Sequence, residues 1–217
     1  MQRIQIDVNT CTESILEALR HCGLLLTSKA GDKVNSMVIG WGTIGVNWGK
    51  PVFAVYVRKG RYTRELLDQN PEFTINVPMA EIDRNIFRIC GSKSGRDMDK
   101  IAEAGLTTVD GEKVSVPALA ELPLTLECRV IYRQAQEYEL YSEEIRRCYP
   151  QDVDSSNPMA NRDEHVTYYG EIINAYILVD DDKVESTEEI LRLHDALDQV
   201  KKAELLQKTD KLLTQQD

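Results

Sequence analysis

Six segments of this chain read as extended backbone, and they constrain the fold more than any other feature. They are "LLLTSK", "VNSMVIGW", "PVFAVYVR", "EFTINVP", "LPLTLECRVIYRQ" and "VTYYGEIINAYILV". Each is rich in Val, Ile, Leu, Phe or Tyr. In the fifth, Leu124, Leu126, Cys128 and Val130 alternate with Thr125, Glu127 and Arg129, the period of a strand with one buried face. Short helical patterns are interspersed among them. Thr10 and Glu13 have capping-box spacing ahead of Ile15, Leu16, Leu19 and Cys22, and Gly23 suits the stop. "TRELLDQN" has Thr63 placed to cap it. "AEIDRNIFRIC" carries Ile82, Ile86, Ile89 and Cys90 on one side and ends at Gly91. "MDKIAEA" has Asp97 as its cap and stops at Gly105. Strands with a few short helices between them point to α+β, mainly β, rather than alternating βαβ units. A closed antiparallel barrel with peripheral helices over its openings is the expected form.

The character changes near the C-terminus. "STEE" is again a capping box, followed by Ile190, Leu193, Leu197 and Val200 at helical spacing. The expected organisation is one domain over 1–182 and a C-terminal helical extension over 183–217. Between the last two strands, "YPQDVDSSNPMANRDEH" is long and polar, which marks a loop with a task or a disordered one.

Several classes are set aside early. With 26 basic against 36 acidic residues the net charge is -10, which disfavours general nucleic-acid binding. Five cysteines are an odd number with no CxxC spacing, so neither a disulfide scaffold nor a metal site is expected. No apolar run reaches the ~20 residues of a membrane span, and the N-terminus lacks a signal-peptide pattern. A soluble, cytoplasmic protein with free thiols is expected. "GWGTIG", Gly40 to Gly45, formally matches a dinucleotide fingerprint, but it leads to Gly49, Pro51 and a strand instead of a helix. Its glycines still let backbone approach a flat ligand, and Trp41 and Trp48 either wall such a site or serve as core aromatics.

Two basic segments carry the chemistry. In "GSKSGRD", Ser92 and Ser94 offer hydroxyls, Gly95 frees backbone amides, and Lys93 and Arg96 bring charge just before a helix N-terminus. Either it holds a phosphate, or it is a solvated loop whose Arg96 pairs with Asp97 or Asp99. "RKGRYT" repeats the pattern, ending a strand and entering a helix with two arginines. Two such entries in one acidic chain either share an anionic ligand, the reading favoured here, or are two unrelated surface loops.

In order along the chain, "NSMVIGWGTIGVNWGKPVFAVYVRKGRYT", "FTINVP", "CGSKSGRDMDKIAEAGLT", "LECRV" and "HVTYYGEI" resemble the flavin reductase-like proteins with an FMN-binding split barrel, close to the flavoredoxin branch. The resemblance runs from about Gly23 to Val179. It implies a homodimer with FMN near the interface and NAD(P)H as electron donor. It implies that Asn35, Ser36, Met37 and Val38 line the ring, with Trp41 and Gly42 beside it. Arg58, Tyr62, Thr63, Ser92, Lys93, Ser94, Gly95 and Arg96 would surround the ribityl phosphate, with Asn76 approaching the flavin. His165 and Tyr168 would stand near the exposed ring face as catalytic residues; the other reading of His165 is a histidine hydrogen-bonded at a strand start. Relatives often carry Thr where this chain has Val38, so a hydroxyl contact is lost there. The implied function is a flavin reductase passing electrons to a small-molecule or protein acceptor. The alternatives are an electron-transfer protein with a protein donor, and a non-redox split-barrel binding or assembly protein.

Overall fold

The computed structural model describes residues 1–152, 162–189, 191 and 192. The chain divides into two compact units, Gln5–Ile177 and a second made of Met1–Ile4 with Leu178–Asp217. Strand β1 (Gln2–Gln5) precedes helix α1 (Val8–His21). Strands β2 (Leu24–Ala30), β3 (Lys33–Ile39), β4 (Gly42–Asn47) and β5 (Lys50–Arg58) then follow without a helix between them. Helix α2 (Tyr62–Gln69) leads into β6 (Glu72–Val77), and α3 (Arg84–Ser92) into the short α4 (Lys100–Glu103). Strands β7 (Thr108–Val109) and β8 (Ala118–Leu119) pair with each other. Strand β9 (Leu124–Ala135), helix α5 (Glu143–Arg146) and strand β10 (His165–Val179) follow, and after a 3-10 turn at Asp181–Lys183 the backbone is helical over 184–189.

The main sheet runs in the order β3-β2-β6-β9-β10-β5-β4, with antiparallel pairing at each step. This sheet-dominated α+β architecture matches the sequence expectation, but the barrel is not closed. Its end strands, β3 and β4, do not pair with each other among the described residues. Strand β4 is exposed along most of its length, and Val46 is 79% exposed. The β4–β5 hairpin turns through Trp48 and Gly49, both at positive φ (52° and 71°), the geometry of a two-residue primed turn. "GWGTIG" is thus a strand edge and not a phosphate loop. Trp48 packs edge-on against Tyr132 and Tyr169 on the sheet surface, away from the site described below.

Under α3, Leu25, Ile86, Ile89, Cys90, Leu106, Leu119 and Leu122 form a buried cluster against which Val38 packs. Three expected caps fall on different residues. Asp7, not Thr10, caps α1 by accepting from Asn9 N. Asp99, not Asp97, caps α4 by accepting from Ile101 N and Ala102 N. No side chain caps α2, because Thr63 is buried and accepts from Asn35 Nδ2 instead. Helix α3 also continues through Gly91 to Ser92. Gly23, at φ 84°, does follow the end of α1.

The alternation in β9 misleads in one respect. Thr125 and Glu127 are as buried as Leu124 and Leu126. Glu127 accepts from Glu112 N, Lys113 N and Tyr176 Oη, so the segment around Glu112 covers the polar face.

In the second unit, Ser186 and Thr187 donate to the Lys183 carbonyl and do not cap a helix. The expected apolar stripe of Ile190, Leu193, Leu197 and Val200 lies outside the described side chains, as does residue range 153–161 of the polar loop. Among the described residues, no helix is long and apolar enough to cross a membrane.

Candidate functional site

Two confluent clefts open beside β3, where α2, α3 and the α3–α4 loop meet the sheet. The larger, about 450 Å³, is lined by Met37, Val38, Ile39, Gly40, Trp41, Tyr56, Arg58, Arg61, Phe87, Arg88, Gly91, Ser92 and His165. The smaller, about 110 Å³, is lined by Asn35, Met37, Val38, Gly60, Arg61, Tyr62, Thr63, Cys90, Gly91, Lys93, Ser94, Gly95, Arg96 and Lys100. Met37, Val38, Arg61 and Gly91 belong to both.

The chemistry of the two differs. The larger is mostly apolar and aromatic, with a volume in the range of small-molecule sites. The smaller gathers Arg61, Lys93, Arg96 and Lys100, and among the described residues no carboxylate lines either cleft. In a chain of net charge -10, that local excess of cations is notable. The acids stand outside. Glu65 accepts from Arg96 Nη2, which also donates to Gly60 O, while the guanidinium lies 5.6 Å from the Tyr62 ring centre. Asp163 Oδ1 is 3.6 Å from Arg58 Nη1, and Asp163 Oδ2 accepts from Gly60 N.

Arg61 and Lys100 are held under electrostatic pressure. Burial and the neighbouring Arg58 push the Arg61 guanidinium below its ordinary value, against the pull of Asp163. Burial, partly offset by Cys90 and reinforced by Arg61, brings the Lys100 ammonium down to about 8. Lys100 donates to the Cys90 carbonyl at 3.0 Å. Each of these shifts is an energetic cost that an anion in the cleft would relieve.

A direct sign of a ligand comes from Asn35. Its Oδ1 is buried with no hydrogen-bond partner, while Nδ2 donates to Thr63 Oγ1 at 2.9 Å. A Cβ on Gly95 would stand 2.1 Å from that oxygen and 2.9 Å from the Tyr62 ring, so only glycine leaves the cradle open. An orphaned polar atom, a side-chain-free wall and an acid-free cluster of cations fit a phosphate with a polar tail, and the apolar cleft beside it fits a planar ring system.

His165 closes the larger cleft. Burial first, then Arg58 and Arg61 against Asp163, hold its imidazole down to about 4, so the ring is neutral near pH 7. Nδ1 is 2.9 Å from the Tyr149 hydroxyl, and the Trp41 ring centre is 5.2 Å from that of His165.

Of the residues marked in the sequence, Asn35, Met37, Val38, Trp41, Arg58, Tyr62, Thr63, Ser92, Lys93, Ser94, Gly95, Arg96 and His165 line one or both clefts. Four do not. Ser36 is buried against Thr27 Oγ1. Gly42 lies beside the Phe53 ring, which a Cβ would meet at 2.7 Å. Asn76 is spent within the sheet, donating to Thr27 Oγ1 and Thr74 Oγ1 and accepting from Leu119 N. Tyr168 is three residues from His165 on one strand and so faces the opposite side, where its hydroxyl donates to Asp68 Oδ1 at 2.8 Å. Ser92 Oγ, though at the cleft, donates to Arg88 O.

The sequence reading missed Arg61, Lys100, Tyr56, Phe87 and Arg88. Arg61 stands in "RKGRYT", whose basic character was the signal. Lys100 gave none, since a lysine one residue past a helix cap normally faces water. Among the described residues, no group of three His, Cys, Asp or Glu side chains is placed to hold a metal ion. All five cysteines are free.

The family model described as "Flavin reductase like domain" matches residues 20–182. Among curated proteins, an uncharacterized protein of Archaeoglobus fulgidus is 30% identical over 118 residues, 54% of this chain and 66% of its own length. The chain spans only 66%, 59% and 58% of three curated relatives it matches. Flavoredoxin of Desulfovibrio vulgaris (Miyazaki F) superposes with a TM-score of 0.54 at 26% identity, over 74% of this chain and 73% of that one. Flavoredoxin from Methanosarcina acetivorans does so with a TM-score of 0.51 at 26% identity, over 82% of this chain and 76% of that one.

Proposed function

The chain belongs to the flavin reductase-like family, and from that premise we propose that it is an FMN-binding oxidoreductase acting as a homodimer. It takes electrons from NAD(P)H and delivers them to a small-molecule or protein acceptor. The observation that carries the choice of ligand is the cluster of Arg61, Lys93, Arg96 and Lys100, in a cleft that no carboxylate of the described residues lines, beside the unpartnered Asn35 Oδ1. A phosphate monoester is the ligand end that such a cradle suits.

FMN, when bound, supplies reversible two-electron and one-electron chemistry that no side chain of the chain provides. The protein's share is binding, orientation and electrostatics. Arg96 and Arg61 grip phosphate oxygens, with Lys93 and Lys100 adding charge and Ser94 a hydroxyl. Asn35 Oδ1 would accept from a hydroxyl of the polar tail, and Gly95 leaves room for it. Met37, Trp41, Tyr56 and Phe87 exclude water from the ring's cleft. Arg58, Arg61 and Arg88 place positive potential along it, which favours negative charge developing there. His165, neutral, presents a hydrogen-bonding nitrogen and not a cation.

The test is spectroscopic. The purified chain titrated with FMN should show saturable quenching of flavin fluorescence at one equivalent per chain, and anaerobic NADH or NADPH should bleach the bound flavin. A chain that leaves flavin fluorescence unchanged at micromolar concentrations refutes the reading. Binding without bleaching favours the second reading, electron transfer from a protein donor, which the similarity to two proteins named flavoredoxin supports.

A further inference from the structure

Tyr149 and His165 form a buried pair to which the proposed function gives only half a role. Tyr149 follows α5 and is 3% exposed; His165 opens β10 and is 7% exposed. The Tyr149 hydroxyl and His165 Nδ1 are 2.9 Å apart, and the direction of that hydrogen bond follows from its neighbours. Gln136 Oε1 can only accept, so the Tyr141 hydroxyl, 2.7 Å away, commits its one proton there. The Tyr141 oxygen is 3.4 Å from that of Tyr149, too far to compete with the histidine nitrogen. The Tyr149 proton therefore goes to Nδ1, and the neutral ring carries its own hydrogen on Nε2.

Aromatic packing fixes the ring as well as its tautomer. Tyr141 and Tyr149 stack at 4.9 Å and 7°. Tyr149 stands edge-on to His165 with centres 5.6 Å apart, and the Trp41 ring, which also lines the larger cleft, is tilted 43° to the imidazole with centres 5.2 Å apart. Among the described residues no protein acceptor is bonded to Nε2. Its hydrogen is left for whatever occupies the larger cleft.

We propose that Tyr149 is a positioning residue that locks His165 as a neutral Nε2–H donor, and that this donor recognises a hydrogen-bond-accepting oxygen or nitrogen on a planar ligand in the cleft. The ligand half of this statement rests on the flavin reading given above; the tautomer half does not. The groups facing the imidazole are Tyr149, Arg58, Arg61 and Asp163. The two guanidiniums oppose a second proton on the ring, Asp163 favours it, and a donated Tyr149 hydrogen bond exists only while Nδ1 is unprotonated.

The experiment is two-bond proton–nitrogen NMR on the full-length chain with ¹⁵N-labelled histidine, first without flavin. His165 is expected wholly as the Nε2–H form. Tyr149→Phe keeps the ring stack but removes the proton, so both tautomers should appear and the midpoint of His165 protonation should move to higher pH. FMN is then added to the parent chain, and the Nε2 resonance should shift while Nδ1 keeps its unprotonated position. An Nδ1–H form in the parent, or a Tyr149→Phe spectrum identical to the parent's, overturns the assignment to Tyr149 whatever the ligand does. Bound FMN that leaves His165 unmoved overturns the recognition role. The expected tautomer without any FMN binding upholds the Tyr149–His165 lock and overturns the flavin reading instead.

Discussion

Replacing Lys100 by methionine sets the stability of the fold against the needs of its ligand. The side chain is 4% exposed, and its ammonium ionises at about 8 where an ordinary lysine ionises at 10.5. Each tenfold in that equilibrium is worth about 1.4 kcal/mol. Keeping Lys100 charged therefore costs the ligand-free native state about 3 kcal/mol. The unfolded chain binds this proton more tightly than the native one. The cost is thus present in full below about pH 8 and fades as the pH rises toward 10.5. Methionine has similar length, removes the charge and forfeits the bond to Cys90 O, a loss of about 1 kcal/mol. At pH 7 the variant should be more stable than the parent by about 2 kcal/mol in urea denaturation without flavin, and the gain should vanish near pH 10. FMN binding should move the other way. One charge-assisted hydrogen bond is worth about 1.5–3 kcal/mol, so the Kd from fluorescence quenching should rise about 10- to 100-fold. A variant less stable than the parent at pH 7, or one that binds FMN as the parent does, refutes the reasoning.

Gly95→Ala should abolish FMN binding while the far-ultraviolet circular dichroism stays that of the parent, because the new Cβ meets Asn35 Oδ1 at 2.1 Å. Arg61→Ala should weaken FMN by about 10- to 100-fold, and added salt should weaken the parent's affinity more than the variant's. Tyr168→Phe removes the bond to Asp68 and should cost about 1 kcal/mol of stability, with FMN affinity and turnover unchanged; a tenfold loss of turnover would return Tyr168 to the catalytic machinery. His165 is neutral in the native state down to about 4, against an ordinary 6.5, so the unfolded chain takes up its proton first as the pH falls. Stability should drop by about 3 kcal/mol across that window, and His165→Asn should remove most of the drop in denaturant melts at pH 4 and 7.

What the sequence disclosed and what it hid follow from the range of each interaction. Strand segments were legible because enrichment in Val, Ile, Leu, Phe and Tyr is local, and Gly23 and Gly95 because a positive φ or a missing Cβ leaves only one residue type suitable. Cap positions were less so, since Thr63 has the right chemistry yet a tertiary contact claims it, and Asp99 takes the cap two residues beyond Asp97. Thr63 is drawn into the site by Asn35, twenty-eight positions away in sequence. Closure of the barrel depends on β3 and β4, which are not neighbours in the sheet order, and no local pattern encodes their meeting. Tyr168 illustrates a narrower failure: "HVTYYGEI" placed it close to His165 in sequence, but an odd spacing on a strand sends the two to opposite faces. The Tyr149–His165 contact, sixteen residues apart across the polar loop, carried no signal at all.

Arg61 links the parts of the site that the sequence could not connect. It lines both clefts, and it appears among the causes that disfavour the charged forms of both Lys100 and His165, while Arg58 presses on Arg61 in turn. A purely structural ion-pair network would set carboxylates among these groups, because pairing is the cheapest way to bury charge. Here Glu65 and Asp163 stand outside, beside Arg96 and Arg58, and no carboxylate of the described residues lines the clefts. Burial and neighbouring positive charge disfavour the charged forms of Arg61 and Lys100, and an anion entering the cleft favours both. Binding energy drawn from relief of that crowding also stabilises the fold by mass action. A dianionic phosphate should for that reason raise the midpoint of thermal unfolding more than riboflavin, which offers the same ring without the charge.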